Sequence, residues 1–324
     1  MMYKIFITFL LFFLPSLSFA DYVNTNGKAI NKPLSDLLEW RSNKVEPVIS
    51  IINISNNWQD ISNTEKQYGI WIGHSTFYIN NGNLDILTDP IFSNRASPIK
   101  FAGPKRLINT PLNVSDLKNV DVVTISHNHY DHLDIPSLKL IQKKFPEVIF
   151  LVPVGDKALL KKYKLKNIYE LTWWETFTLK ETKFTFTPTQ HWSARGIFDR
   201  NESLWGGWYF ETKNLKLFHA GDTGYSEDFK NIKNKLGKPD YAFIPIGAYD
   251  PEWFMAESHV TPEDAVRIME DLGSPNSFGM HWGTFALTSE DTLEPLERLK
   301  TYTSSLGIQN FITLTPGDIF KLNN

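Results

Sequence analysis

His127, His129, Asp131 and His132 place three imidazoles and a carboxylate within six residues. Neutral imidazole with carboxylate is a donor set that suits zinc and other borderline divalent ions. Packing explains such a cluster poorly, because protonation near neutral pH would set like charges against one another. A shared metal removes that repulsion. On an extended segment His127 and His129 point to the same side. Asp131 and His132 follow beyond a bend, free to aim at a second ion. A polar turn whose histidines merely face water is the alternative, and it does not call for this spacing. The chemistry open to such a centre is hydrolysis by metal-activated water.

Strands and turns around the cluster supply the positioning. The apolar run 120–125 reads as a buried strand delivering His127, 135–145 as a helix and 148–152 as a second buried strand. That alternation argues for an α/β domain. A strand that ends in a candidate ligand recurs three times. Residues 183–188 lead to His191, 215–219 to Asp222 in a glycine-flanked turn, and 277–280 to His281. A further run, 241–247, leads by a loop to His259. Beyond it Thr261 reads as an N-cap, with Pro262 at the first helical position and Glu263 and Asp264 in the first turn. Upstream, short strands are expected near 69–72, 76–79 and 84–87, the last two joined across the Asn-Gly turn signal at 81–82. His74, at a strand end, could reach the site, but reads first as a local hydrogen-bonding group. Asp89 reads either as a turn-forming residue before Pro90 or as a carboxylate that fixes the tautomer of a ligating imidazole. Arg95, Lys100, Lys105 and Arg106 form a local surplus of positive charge, as solvated loop residues or as a clasp for an anionic substrate.

The N-terminus is of a different kind. Lys4, the apolar run 5–14 and the small-residue pattern 18–20 form a secretory signal peptide with cleavage after Ala20, since ten apolar residues are half the ~20 a spanning helix needs. The expectation is an exported protein, periplasmic or secreted and peripheral to a membrane. Residues 21–64 read as an N-terminal extension with one helix, Leu34 to Trp40, either packed on the main domain, which is the preferred reading, or touching a membrane surface. Residues 65–324 read as the catalytic domain. Removing Lys4 takes the net charge from −3 to −4, and no basic stripe points to nucleic acid. With no cysteine, disulfides and thiolate ligands are excluded. Ten Trp and 23 Phe must largely be core.

The run His127-x-His129-x-Asp131-His132, followed by His191, Asp222 and His281, resembles the metallo-β-lactamase superfamily. Within it the chain is similar to the N-acylphosphatidylethanolamine-hydrolysing phospholipase D family over most of 68–317. Segments 87–93, 95–98, 103–106, 126–134, 190–192, 220–225, 244–249 and 281–287 carry that likeness. The resemblance implies a four-layer αββα sandwich with two zinc ions at one edge. It implies that His127, His129 and His191 hold one ion, that Asp131, His132 and His281 hold the other, and that Asp222 bridges them. It also implies a phosphate-contacting role for His259, a homodimer, and a phospholipid substrate met at a membrane surface. Lys100 and Phe101 stand where the animal enzymes have Gln and Tyr near the phosphate, so head-group contacts are expected to differ.

Two zinc ions, two carboxylates and a bridging hydroxide leave a site with a net charge near +1, suited to one anionic phosphodiester. The expected reaction is in-line attack of that hydroxide, oriented by Asp222, on phosphorus, with Asp131 counted among the catalytic residues, expelling an N-acylethanolamine and leaving phosphatidic acid. His259 would bind the phosphate or protonate the leaving oxygen. The alternatives are a hydrolase of the same fold acting on another phosphodiester, a lactone or a lactam, and a lipid-binding protein without catalysis.

Overall fold

The computed structural model describes residues 22–61, 66–196 and 198–322. The expected signal peptide lies outside the described residues. Two seven-stranded sheets face each other. The first runs from a returning C-terminal strand, Ile319–Lys321, through β1 (Tyr68–Gly73), β2 (Thr76–Asn80), β3 (Asp85–Thr88), β4 (Val122–Thr124) and β5 (Ile149–Pro153) to β6 (Ile168–Leu171). The second runs in sequence order from β7 (Thr176–Leu179), β8 (Thr182–Thr187), β9 (Gly207–Glu211) and β10 (Lys216–His219) to β11 (Tyr241–Pro245), β12 (Asn276–Met280) and β13 (Phe311–Thr313). The returning strand, β14, closes the first sheet beside β1.

The helices are α1 (Leu34–Ser42), α2 (Trp58–Ile61), α3 (Ile135–Lys144), α4 (Lys157–Lys162), α5 (Asp228–Leu236), α6 (Glu252–Met255), α7 (Pro262–Asp271) and α8 (Glu294–Leu306). Strand alternation explains why they flank the sheets. In the first sheet Trp71, Phe77, Ile79, Ile86, Val122 and Leu151 face the inter-sheet core with Phe184, Phe186, Trp208 and Phe210. Their neighbours Ile70, Ile72, Tyr78, Leu87, Val123, Phe150 and Val152 instead pack with Leu138 and Ile141 of α3 and Leu160 of α4. With both faces covered, these strands read as continuous apolar runs. Each fully buried Phe contributes roughly 1.5–3 kcal/mol. On the second sheet Phe229 of α5, Val266 and Met269 of α7 and Leu299 of α8 join the core, completing the αββα layering expected from sequence.

Strands β3 to β6 and β10 to β13 are parallel, so their C-terminal ends share one edge of the sandwich. Open α/β sheets bind ligands at that edge. The helix expected at 34–40 forms, with Pro33 as its N-cap residue, but it buries none of its own residues. It is fastened at its end, where the Trp40 ring stacks on Phe254 at 5.3 Å and 2°.

Candidate metal centre

The four ligand-bearing strand ends converge. Ile125 and Ser126 carry the chain from β4 to His127, and the loops after β8, β10 and β12 supply His191, Asp222 and His281. Gly221 is required here. Its φ is +63°, and a Cβ at that position would lie 2.6 Å from the Ser126 Cβ and 2.9 Å from the Gly206 carbonyl oxygen. Only glycine lets the Asp222 turn pass so close to the His127 loop.

One group of donors is His127, His129 and His191. His127 Nε2 lies 2.9 Å from His129 Nδ1, which lies 3.3 Å from His191 Nε2. The other group is Asp131, His132 and His281. Asp131 Oδ2 is 3.5 Å from Nε2 of both histidines, whose Nε2 atoms are 3.3 Å apart. Asp222 sits between the groups. Its Oδ2 is 3.2 Å from His132 Nε2 and 4.0 Å from Nε2 of both His127 and His191, and its Oδ1 is 3.1 Å from His281 Nε2.

The hydrogen bonds at the backs of the rings fix their tautomers. Asp89 Oδ2 can only accept, so His132 donates from Nδ1 at 2.8 Å. Ser126 Oγ donates to the same oxygen at 2.6 Å and is thereby free to accept from His127 Nδ1 at 2.9 Å. The Ser258 carbonyl accepts from His191 Nδ1 at 2.9 Å. In the neutral rings, Nε2 of His127, His132 and His191 therefore presents a bare lone pair to the centre. Lone pairs aimed at one another and at carboxylate oxygens repel unless a cation lies between them. Four donors around one zinc at 2.0–2.1 Å stand about 3.3 Å apart, close to the spacings found. The residues thus fit a metal centre of two adjoining ligand sets.

The electrostatics agree. Burial lowers the basicity of His132 and His281, but the Asp222 and Asp131 carboxylates overcome it, lifting His132 well above the ordinary range and His281 to about 9. Burial would raise both carboxylates, yet His132 and His281 hold them well below theirs. The cluster therefore demands positive charge, from protons or from metal.

His259 joins the centre with Nδ1 3.8 Å from Asp222 Oδ2 and no hydrogen-bond partner on that atom. Burial lowers it to about 4, so the ring is neutral near pH 7. Thr261 caps α7 as expected, accepting from the Asp264 amide at 3.2 Å. Asp89 takes the tautomer-fixing role. His74 was undervalued by sequence reasoning: its Nε2 lies 2.9 Å from Asp131 Oδ2, inside the second donor group.

A cavity of about 350 Å³ opens above the centre, with His129, Asp131, Asp222 and His259 at its floor. Its walls carry Ile30, Leu37, Trp40, Phe254, Met255 and Leu287, together with Lys32 and Arg200. The basic loop does not line it. Arg106 instead ties that loop together by donating to the Ile91 and Ser93 carbonyls, and Phe101 is 85% exposed. The cations that do line the cavity went unnoticed in the sequence because no local surplus marks them. Ile30, Lys32, Leu37 and Trp40 form one wall, and upstream of them Asn24 grips the His191 backbone at two points: Nδ2 donates to its carbonyl at 3.1 Å and Oδ1 accepts from its amide at 3.0 Å.

Comparison with known proteins follows the same lines. The profile described as beta-lactamase superfamily domain matches residues 85–282. The chain is 36% identical over 271 residues to N-acyl-phosphatidylethanolamine-hydrolyzing phospholipase D 1 of Caenorhabditis elegans, covering 79% of this chain and 76% of that protein. It is 40% identical over 240 residues to the mitochondrial N-acyl-phosphatidylethanolamine-hydrolyzing phospholipase D of Saccharomyces cerevisiae, covering 72% of this chain and 51% of that protein. Igni18, a metallo hydrolase of Ignicoccus hospitalis, shares the fold with a TM-score of 0.60 at 21% identity, over 80% of this chain and 99% of that one. The chain therefore belongs to the β-lactamase superfamily of metal-dependent hydrolases, in the family of these N-acylphosphatidylethanolamine-hydrolysing phospholipase D relatives.

Proposed function

We propose that the protein is a zinc-dependent phospholipase D that hydrolyses N-acylphosphatidylethanolamine to N-acylethanolamine and phosphatidic acid. The observation that carries this reading is the cavity. Its floor is the histidine and aspartate centre, and its walls combine apolar side chains with Arg200 and with Lys32, which Glu257 pairs at 2.6 Å, a composition suited to an anionic phosphodiester bearing an apolar arm. The names of the worm and yeast relatives support the substrate class.

In this reading His127, His129 and His191 would hold one zinc ion, Asp131, His132 and His281 would hold a second, and Asp222, lying between the two groups, would serve both. When bound, such a pair supplies positive charge to a phosphoryl oxygen and a water of lowered pKa. The chain's own residues do the rest. Asp222 and Asp131 orient the nucleophile. His259, neutral near pH 7, donates a ring N–H to the phosphate, which favours binding over proton donation among the two roles expected for it. Arg200 adds charge at the wall, where Lys32 is paired with Glu257 at 2.6 Å. The apolar wall excludes water from the reacting phosphate, which strengthens each of these contacts.

A membrane surface is the proposed place of encounter. Leu34 and Leu38 on α1 and Trp253 on α6 are exposed, and both helices border the cavity. Among the described residues no helix is long and apolar enough to cross a membrane. A second reading, a phosphodiester with a single apolar arm, draws on the cavity volume, which lies at the small end of the usual range of roughly 300–1,000 Å³.

The test is to purify the protein, count its metals, and compare hydrolysis of N-acylphosphatidylethanolamine, phosphatidylcholine and a soluble aryl phosphodiester. Preference for the N-acylated lipid is expected. Activity on the aryl ester alone would sink the phospholipase reading while keeping phosphodiester hydrolysis.

A further inference from the structure

We infer that His74 is a positioning residue that aims Asp131 at the metal centre and so sets the affinity of one of its two ions. The inference rests on the two-ion reading given above.

His74 lies in the turn between β1 and β2, 57 residues from Asp131, and is 1% exposed. A carboxylate only accepts, so the 2.9 Å contact with Asp131 Oδ2 puts the proton on His74 Nε2. That same oxygen is the one facing His132 and His281. Asp131 is the least buried member of its group, with a side chain 14% exposed, and needs an external hold to keep one rotamer. The His74 ring also lies against His281, with centroids 4.0 Å apart. The His132 ring lies near it as well, with centroids 5.2 Å apart, so His74 touches all three donors of a single group and none of the His127, His129 and His191 set.

The backbone is built to hold this pose. His74 has φ +53° and His281 has φ +65°, both in the left-handed region that non-glycine residues seldom occupy. Three hydrogen bonds retain His74 there. Its amide donates to Thr284 Oγ1 at 2.8 Å, and its carbonyl accepts from Trp71 Nε1 at 2.9 Å and from the His281 amide at 3.2 Å. The two strained histidines are therefore linked to each other. Strain of this kind persists only where the surroundings over-determine it, and it gathers at functional sites.

The test compares wild type, His74→Asn and His74→Gln. Asn tolerates a left-handed backbone but is too short to reach Asp131, so it removes the hydrogen bond without adding backbone strain. Gln has the reach to place an N–H near the position of Nε2. Each protein is loaded with zinc and challenged with graded chelator while bound metal is counted, and the melting temperature of the metal-free form is recorded. The expected result for His74→Asn is that one of two ions leaves at roughly 10–100-fold lower chelator strength, the range found for partners that orient ligands. The other ion and the metal-free melting temperature stay as in wild type, and His74→Gln recovers most of the loss.

Unchanged release of both ions in His74→Asn overturns the inference. So does parallel loss of both ions with a lowered melting temperature, which would mark a general structural role. Equal loss in the Gln variant would make the imidazole itself a ligand and overturn positioning. A wild type that binds fewer than two ions would instead remove the two-ion reading, and this inference with it.

Discussion

Replacing Asp89 with Asn is expected to weaken metal binding in both donor groups, although Asp89 touches no ion in the proposed arrangement. Its carboxylate is fully buried and accepts three hydrogen bonds: the Ser126 amide at 2.7 Å on Oδ1, and Ser126 Oγ at 2.6 Å and His132 Nδ1 at 2.8 Å on Oδ2. Asn keeps the shape and the first bond. At the second position it sets an NH₂ donor against two donors. His132 must then accept at Nδ1, which moves its proton to Nε2, the nitrogen that faces Asp222. Ser126, now accepting from the amide, is free to donate to His127 Nδ1, and His127 follows into the same wrong tautomer. Outer partners of this kind are worth about 10–100-fold in metal affinity, or roughly 1.4–2.7 kcal/mol. The assay is competition with a chelating dye, with nitrogen NMR of the imidazoles to read which ring nitrogen bears the proton. An Asp89→Asn protein that binds metal as tightly as wild type and keeps its Nδ1–H tautomers would refute the reasoning.

His259→Ala should lower phosphodiester turnover by about 10²–10³-fold, the range for loss of a donor to developing charge, and leave metal content unchanged. Loss of metal in that variant would move His259 into the ligand set. Asn24→Ala leaves the buried His191 amide without an acceptor, at about 1–3 kcal/mol. A lowered melting temperature with reduced turnover is expected, and an unchanged protein would mean the clasp is idle. Burial raises Asp156 from 3.8 to about 7. Between those values the folded state binds a proton that the unfolded state has lost, so its contribution to stability falls as pH rises from about 4 to about 7, by on the order of 4 kcal/mol at most. Asp156→Asn should flatten that fall and be the more stable protein at pH 8. Parallel denaturation curves for the two proteins across that range would contradict it.

Much of the site was legible in the chain because its information is local. Strand alternation and the placement of donors at strand ends announce themselves within a few residues, so His127, His129, Asp131, His132, His191, Asp222 and His281 could be picked out before any fold was known. The helix cap at Thr261 was readable for the same reason. Helix α1 was only half readable: its apolar spacing predicted a packed helix, yet the structure buries none of its residues and fastens it through Trp40.

What only the tertiary structure decided are the partners of those donors. Asn24 meets His191 across 167 positions and His74 meets Asp131 across 57. Arg200 and Lys32 reach the cavity while the obvious basic loop turns away from it. The sequence determined which side chains can bind metal, because donor chemistry belongs to the residue. The fold determined which tautomer each one holds and what covers the site, because hydrogen bonds and cavity walls join residues that sequence distance keeps apart.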